Sequence, residues 1–194
     1  MRKNIGAKSA LYPMPVLIIG TYDEAGTPNA MNAAWGGISE ECEISICVSD
    51  DHKTTANVLA RGAFTVSVAD VDNLVAADYV GLTSGFDTPN KVERAGWHAT
   101  KSERVDAPIF AELPFALECR LKSYDADACR LIGEIVDVSV DDRILATDGK
   151  IDLAKFHPIT YDSYRHDYVA LGAAVGKAFS AGLKLKKQNE QHKL

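Results

Sequence analysis

Phe115-Ala116-Leu117-Glu118-Cys119-Arg120-Leu121-Lys122, the turn Asp125-Ala126-Asp127 and the run from Leu131 to Val140 decide how this chain folds. Phe115, Leu117, Cys119 and Leu121 alternate with Glu118, Arg120 and Lys122. Beyond the turn, Val136, Val138 and Val140 alternate with Asp137, Ser139 and Asp141. Successive side chains of a strand point to opposite faces, so this period of two predicts a long antiparallel hairpin with one buried face. The pattern recurs upstream in Ile44, Ile46 and Val48 and in Phe64-Thr65-Val66-Ser67-Val68. Val16 to Thr21 is a short continuous apolar run. Tyr22 to Pro28 behind it holds the Asp, Gly and Pro of a turn, and Asn29 to Trp35 is the returning strand.

Helical signals are few. Thr54 or Thr55 can cap a helix that runs to Arg61 and stops at Gly62, Val71 to Tyr79 can form a second, and Asn90 to Ala95 one turn before Gly96. Strands spread over the whole chain with short helices between them predict a mainly β fold, one barrel-like domain rather than a parallel α/β sheet.

Composition sets the outer bounds. With 21 Lys and Arg against 27 Asp and Glu, the 194-residue chain carries a net charge of -6. Phosphate backbones and anionic lipid surfaces would repel it, so neither nucleic acid nor membrane is an expected partner. No run approaches the roughly 20 apolar residues that span a bilayer, and Met1-Arg2-Lys3-Asn4 leads into no apolar signal core. The cytoplasm is the expected compartment, with the four cysteines as free thiols; alternation puts Cys42 and Cys47 on opposite strand faces.

Several chemistries fail on spacing. Gly172-Ala173-Ala174-Val175-Gly176-Lys177-Ala178 looks like a phosphate loop, but three residues rather than four separate the glycines and Ala178 cannot ligate magnesium. There is no Gly-x-Ser-x-Gly elbow, and the five histidines form no i, i+4 pair or zinc-like grouping with cysteine, so no metal is expected. No side chain stands out as a general acid or base.

Three segments remain. Asp50-Asp51-His52-Lys53-Thr54-Thr55-Ala56-Asn57 brings a cation, an imidazole and two hydroxyls to a helix start, where unpaired N–H groups and the positive dipole end suit a phosphate dianion. Pro28 to Gly37 sets small residues around Trp35, which would let a flat ring approach the backbone. Gly81 to Lys91 is a Gly-rich loop ending in a lysine. Taken alone, each has a plainer and stronger reading: a threonine cap with a surface lysine, a core tryptophan beside a turn, a solvated lysine.

As an ordered set they acquire a different meaning. Pro13-Met14-Pro15-Val16, Pro28-Asn29 to Trp35, His52 to Asn57 followed by Gly62-Ala63-Phe64-Thr65-Val66, Ser84-Gly85 with Lys91, and Leu131-Ile132-Gly133-Glu134-Ile135 resemble the flavin reductase-like family with the FMN-binding split β-barrel, flavoredoxin-like members in particular. The resemblance implies a single split-barrel domain over residues 1–182, with a polar basic tail at 183–194. It implies a homodimer that holds one FMN per subunit near the interface. Carried over by position, Asn29 and Trp35 line the isoalloxazine, Lys53, Thr54 and Thr55 the phosphate, and Lys91 the ring or ribityl region, with Ala33, Ala34, Ser49 and His52 as further cofactor contacts. A lysine beside a reduced flavin would stabilise the negative charge on its N1–C2=O edge.

The expected activity is that of an oxidoreductase taking electrons through FMN from NAD(P)H to free flavin, a ferric complex or a protein acceptor. One departure leaves a second reading open. Members that use NADH well often carry Gly-Asp-His before the strand corresponding to Leu131, and this chain has Ala128-Cys129-Arg130 there. That favours an electron-transfer module reduced by a partner protein.

Overall fold

The computed structural model describes residues 1–183, 185 and 186. The tail read at 183–194 otherwise lies outside the described residues. Seven antiparallel strands form one sheet. In chain order they are β2 (Leu17–Tyr22), β3 (Pro28–Ala33), β4 (Gly36–Glu40), β5 (Glu43–Cys47), β6 (Ala63–Val68), β9 (Phe115–Asp125) and β10 (Arg130–Val140). In space the order is β3-β2-β6-β9-β10-β5-β4. β1 (Met14–Pro15) joins β11 (Ile159–Asp162) and β12 (Asp167–Ala170) in a small second sheet, and β7 (Ala99–Lys101) pairs with β8 (Pro108–Phe110). The helices are short: α1 (Lys53–Arg61), α2 (Leu74–Leu82), α3 (Lys91–Arg94) and α4 (Leu153–Phe156).

β3 and β4 lie at opposite edges of the seven-stranded sheet, yet only Ala34 and Trp35 separate them in the chain. Consecutive Cα atoms are about 3.8 Å apart, so three steps bring the two edges within about 11 Å of each other. The sheet therefore curls until its ends nearly meet. They do not pair with one another, and the Trp35 carbonyl instead accepts the Cys47 N–H at 2.7 Å. A barrel open along one seam is the result, as the family resemblance implied.

The β9–β10 hairpin forms as the alternation predicted, but both strands run eleven residues and β10 begins at Arg130. Bulges between Ile132 and Gly133 and between Ile135 and Asp137 break the register. A bulge shifts which side chains face inward, so Val138 is exposed while Leu131 and Gly133 are buried. Glu118, expected outward, is also buried; the Ser102 hydroxyl donates to its carboxylate. The β7–β8 ribbon covers this face of the sheet, with Thr65 Oγ1 donating to the Pro108 carbonyl at 2.6 Å. Both faces are thus packed. Ile18 joins Val16, Trp97 and Phe110 on one side, and Leu17 and Ile19 join Ile46, Phe64 and Leu131 on the other. That two-sided burial explains the continuous apolar run of β2.

Two boundaries differ from expectation. α2 starts three residues later than Val71, because Asp70 Oδ1 accepts both the backbone N–H of Asn73 at 2.8 Å and its Nδ2 at 2.9 Å, closing a turn ahead of the helix. The strand expected over Asn29 to Trp35 ends at Ala33, where the chain crosses the seam.

At Gly133 a Cβ would lie 2.3 Å from Cζ of Phe64, a fully buried ring that cannot swing away. Gly133→Ala should destabilise the fold by about 1–3 kcal/mol, the usual cost of overpacking a filled core. Urea unfolding checks this through a lower midpoint at unchanged slope; an unchanged midpoint would show that the Phe64 packing is looser than described.

Candidate functional site

α1 begins at Lys53, so His52 rather than Thr54 or Thr55 occupies the N-cap, with extended backbone and no side-chain capping bond. The first-turn N–H groups have no intrahelical partner, and the threonine hydroxyls are used elsewhere. Thr55 is fully buried and donates to the Ser49 carbonyl at 2.6 Å. Thr54 Oγ1 accepts from Asn29 Nδ2 at 2.9 Å, which leaves the Thr54 hydroxyl proton free to be donated. Gly62 ends the helix as expected, in left-handed backbone with its N–H on the Val58 carbonyl.

Asn29 is the centre of a buried polar cluster. Its Nδ2 also reaches Thr21 Oγ1 at 3.4 Å, and Thr21 Oγ1 accepts from Asn57 Nδ2 at 3.0 Å. Its Oδ1 is buried without a partner among the described residues. An unsatisfied buried amide oxygen costs about 1–3 kcal/mol, a cost the fold bears where Gly85 packs against it. The loop after α2 closes over it. A Cβ on Gly85 would lie 2.3 Å from Asn29 Oδ1, and one on Gly81 would lie 2.9 Å from Asn32 Cβ, so both positions require glycine.

Charge is arranged around this cluster. Lys53 Nζ lies 3.2 Å from Asp23 Oδ2 and 5.5 Å from the Phe86 ring centre. Burial alone would push Asp23 up, but the Thr27 N–H and the Lys53 ammonium outweigh it and hold the carboxyl below its ordinary value. Part of the Lys53 charge is therefore already balanced. Lys91 is buried, and its Nζ donates to the Val80 and Thr83 carbonyls at 3.0 and 2.6 Å, at the C-terminal end of α2. Burial lowers its pKa to about 8. No carboxylate bonds to it among the described residues.

These groups line one cleft in two connected parts. The first, of about 310 Å³, is lined by Asn29, His52, Lys53, Thr54, Gly85 and Lys91, among others. The second, of about 490 Å³, is lined by Ala33, Ala34, Trp35, Cys47, Tyr161 and His166, among others, and shares Met31 and Asn32 with the first. β3 is the common floor. From Asn29 to Ala33 it spans about 13 Å at 3.3 Å per residue. One end is cationic and rich in N–H donors; the other sets Ala33 and Ala34 among the rings of Trp35, Tyr161 and His166.

Of the residues singled out in the sequence, Asn29, Ala33, Ala34, Trp35, His52, Lys53, Thr54 and Lys91 line this cleft; Asn29, expected beside the isoalloxazine, and Lys91, expected at the ring or ribityl region, lie in the cationic part with Lys53 and Thr54. Ser49 and Thr55 do not; they hold the start of α1 from behind. Trp35 is 58 % exposed at the seam rather than in the core. Sequence reasoning missed Met31, Asn32, Tyr161 and His166. The last two come from the β11–β12 hairpin, about 130 positions away in the chain, and no local pattern marks them. The donor set fits an elongated ligand with a phosphate at one end and a planar ring at the other, as FMN is. Among the described residues no group of His, Cys, Asp and Glu could hold a metal ion.

Comparison with known proteins agrees with this geometry. Residues 9–166 match the family model described as flavin reductase like domain. The fold superposes on flavoredoxin of Desulfovibrio vulgaris (Miyazaki F) with a TM-score of 0.89 and 37% identity, covering 94% of this chain and 100% of that one. It also superposes on an FMN-binding domain of a flavin reductases-like enzyme from Shewanella baltica, with a TM-score of 0.75 and 20% identity over 84% and 88% of the two chains. A protein of Aeropyrum pernix is 26% identical over 158 residues, which span 78% of this chain and 58% of that relative's length. On the family match over most of its length, the chain belongs to the flavin reductase like domain family.

Proposed function

We propose that this chain is an FMN-binding oxidoreductase of flavin reductase or flavoredoxin type, working as a cytoplasmic homodimer. It would take electrons from NAD(P)H and pass them to free flavin, a ferric complex or a protein acceptor. The observation that carries the reading is the uncapped α1 start with Lys53 and Thr54 beside it, in a cleft that adjoins the Ala33–Trp35 seam. When bound, the flavin supplies the redox chemistry; the chain supplies position and charge. The first-turn N–H groups of α1, the Thr54 hydroxyl and the Lys53 ammonium would hold the phosphate. Lys91 places a buried positive charge at the same end, and Ala33 and Ala34 let the ring lie against backbone.

The homodimer draws support from apolar side chains left open at the sheet edge and on α2. Ile38 is 63% exposed, Val75 79% and Leu82 79%. The cytoplasmic assignment rests on four free cysteines. Among the described residues no helix is long and apolar enough to cross a membrane.

A second reading, an electron-transfer module reduced by a partner protein, is favoured by the Ala128-Cys129-Arg130 turn. Arg130 pairs across the sheet with Cys47, a residue of the cleft's ring end, so the turn that departs from the Gly-Asp-His pattern lies next to that end. Anaerobic mixing separates the two. The purified protein should be yellow, and NADH or NADPH should bleach it on a turnover timescale if the first reading holds. Persistent colour with either nucleotide would support reduction by a partner, and a colourless protein that takes up no FMN would sink both.

Lys53→Ala together with Thr54→Ala should weaken FMN retention by about 1.5 kcal/mol or more, the low end for charge-assisted bonds because Asp23 already shares the Lys53 charge. Equal retention on gel filtration would place the phosphate elsewhere. A pH dependence follows from Lys91. The folded chain carries its ammonium below about pH 8 and sheds it above, whereas the unfolded chain keeps it to about 10.5. Its burial thus costs stability at low pH, and the cost is relieved as pH rises past 8. The phosphate site loses a charge over the same range, so FMN should bind less tightly at pH 9 than at pH 7 while riboflavin shows no such loss. Parallel behaviour of the two flavins in fluorescence titrations would contradict the role given to Lys91.

A further inference from the structure

We propose that His166, oriented by Tyr161, donates a proton to the carbonyl oxygen of a conjugated acceptor such as a quinone, bound at the ring end of the cleft. This deepens the flavoprotein reading above and rests on it.

The sequence nominates no general acid, but the fold brings one to the seam. His166 and Tyr161 form a wall of the 490 Å³ part of the cleft, of which Ala33, Ala34 and Trp35 form another part. The same pair lines an adjoining recess of about 390 Å³ with Asn32 and Tyr168. Tyr161 Oη lies 2.8 Å from His166 Nδ1, and neither group has another hydrogen bond among the described residues. A phenol that donates to Nδ1 leaves the neutral ring with its proton on Nε2. With the phenol as the donor in this pair, Nε2–H is the proton that the proposal uses.

The backbone holds that donor in place at a cost. His166 has a φ of 62°, left-handed for a residue with a side chain, and its N–H is tied to the Asp162 carbonyl at 2.8 Å. Asp162 Oδ1 accepts from Tyr164 N–H, Arg165 N–H and the Tyr12 hydroxyl, so the turn is braced from three directions. Residues held in sparsely populated backbone regions cluster where geometry serves function. Tyr168, anchored on Asp78 at 2.8 Å, packs behind Tyr161 with ring centres 6.0 Å apart.

The chemistry selects the acceptor class. Ala33 and Ala34 are taken up by the flavin ring in that reading, so the acceptor class follows from the proton that its reduction places on oxygen. Converting a quinone to a hydroquinone adds two electrons and two protons. The acceptor would receive a hydride from the bound reduced flavin, which is left oxidised, and a proton from His166 Nε2 on its carbonyl oxygen. Tyr161 passes its hydroxyl proton to Nδ1, and solvent reprotonates the phenol. A one-electron acceptor such as ferricyanide needs no proton and draws nothing from this pair.

The test compares the FMN-loaded native chain with His166→Ala, with His166→Asn, whose side chain tolerates left-handed backbone, and with Tyr161→Phe. The ratio of benzoquinone to ferricyanide reduction rates should fall about 100-fold in both His166 variants, the low end of what a positioned acid contributes. Added imidazole should restore the ratio in His166→Ala, and Tyr161→Phe should lower it less. A readout independent of turnover is the ring ¹⁵N signal of His166, identified by its loss in His166→Asn. It should report the Nε2–H tautomer in the native chain, a mixture in Tyr161→Phe, and a shift of Nε2 when hydroquinone is added. A ratio within twofold of native in both His166 variants, or an Nε2 signal indifferent to hydroquinone, overturns the assignment of His166 alone. A native chain that holds no flavin, or whose reduced form passes electrons to neither acceptor, overturns the flavoprotein reading and this inference with it.

Discussion

The architecture depends on a link of two residues. Ala34 and Trp35 join the strands at opposite edges of a seven-stranded sheet, and a chain that short can be accommodated only if the sheet curls round on itself. Curvature in turn demands local irregularity. The β9–β10 hairpin supplies it through two bulges and through Gly133, which lets the strand pass directly over the Phe64 ring. The two edges come together without pairing, and the open seam becomes the ring end of the cleft. The same constraint that shapes the barrel thus places Ala33, Ala34 and Trp35 where a planar ligand can reach backbone and indole together.

The cationic end of the cleft rests on a different balance. Asn29, Thr21, Thr54 and Asn57 hydrogen-bond one another in a buried cluster that leaves one oxygen, Asn29 Oδ1, without a partner among the described residues. Lys91 is buried beside it, and among the described residues its ammonium bonds to the Val80 and Thr83 carbonyls at the end of α2 and to no carboxylate. Burial without a carboxylate among the described residues lowers its pKa to about 8. The net charge of -6 describes the surface, not the pocket.

Much of the fold was legible in single segments. The hairpin alternation, the apolar run of β2 and the Gly62 stop after α1 all follow from local rules. Legibility failed where one segment is covered by another. Glu118 alternates as an outward residue should, and is buried because Ser102 and the β7–β8 ribbon lie over it. The start of α2 was misplaced because an aspartate turn competes with the first helical residues. Thr55 and Ser49 belong to the right segment but do not line the cleft, because the Thr55 hydroxyl is spent on the Ser49 carbonyl.

The sequence by itself determined that the fold is mainly β and that Lys53 and Thr54 stand at a helix start, because both depend on contiguous residues: period-two alternation for the strands, and the run from His52 to the Gly62 stop for the helix. Tertiary structure alone decided the rest. That the sheet closes, that Lys91 is buried rather than solvated, and that Tyr161 and His166 meet the Ala33–Trp35 seam are consequences of strand order and loop closure. Those bring together residues about 130 positions apart, and no local preference of either partner records the meeting.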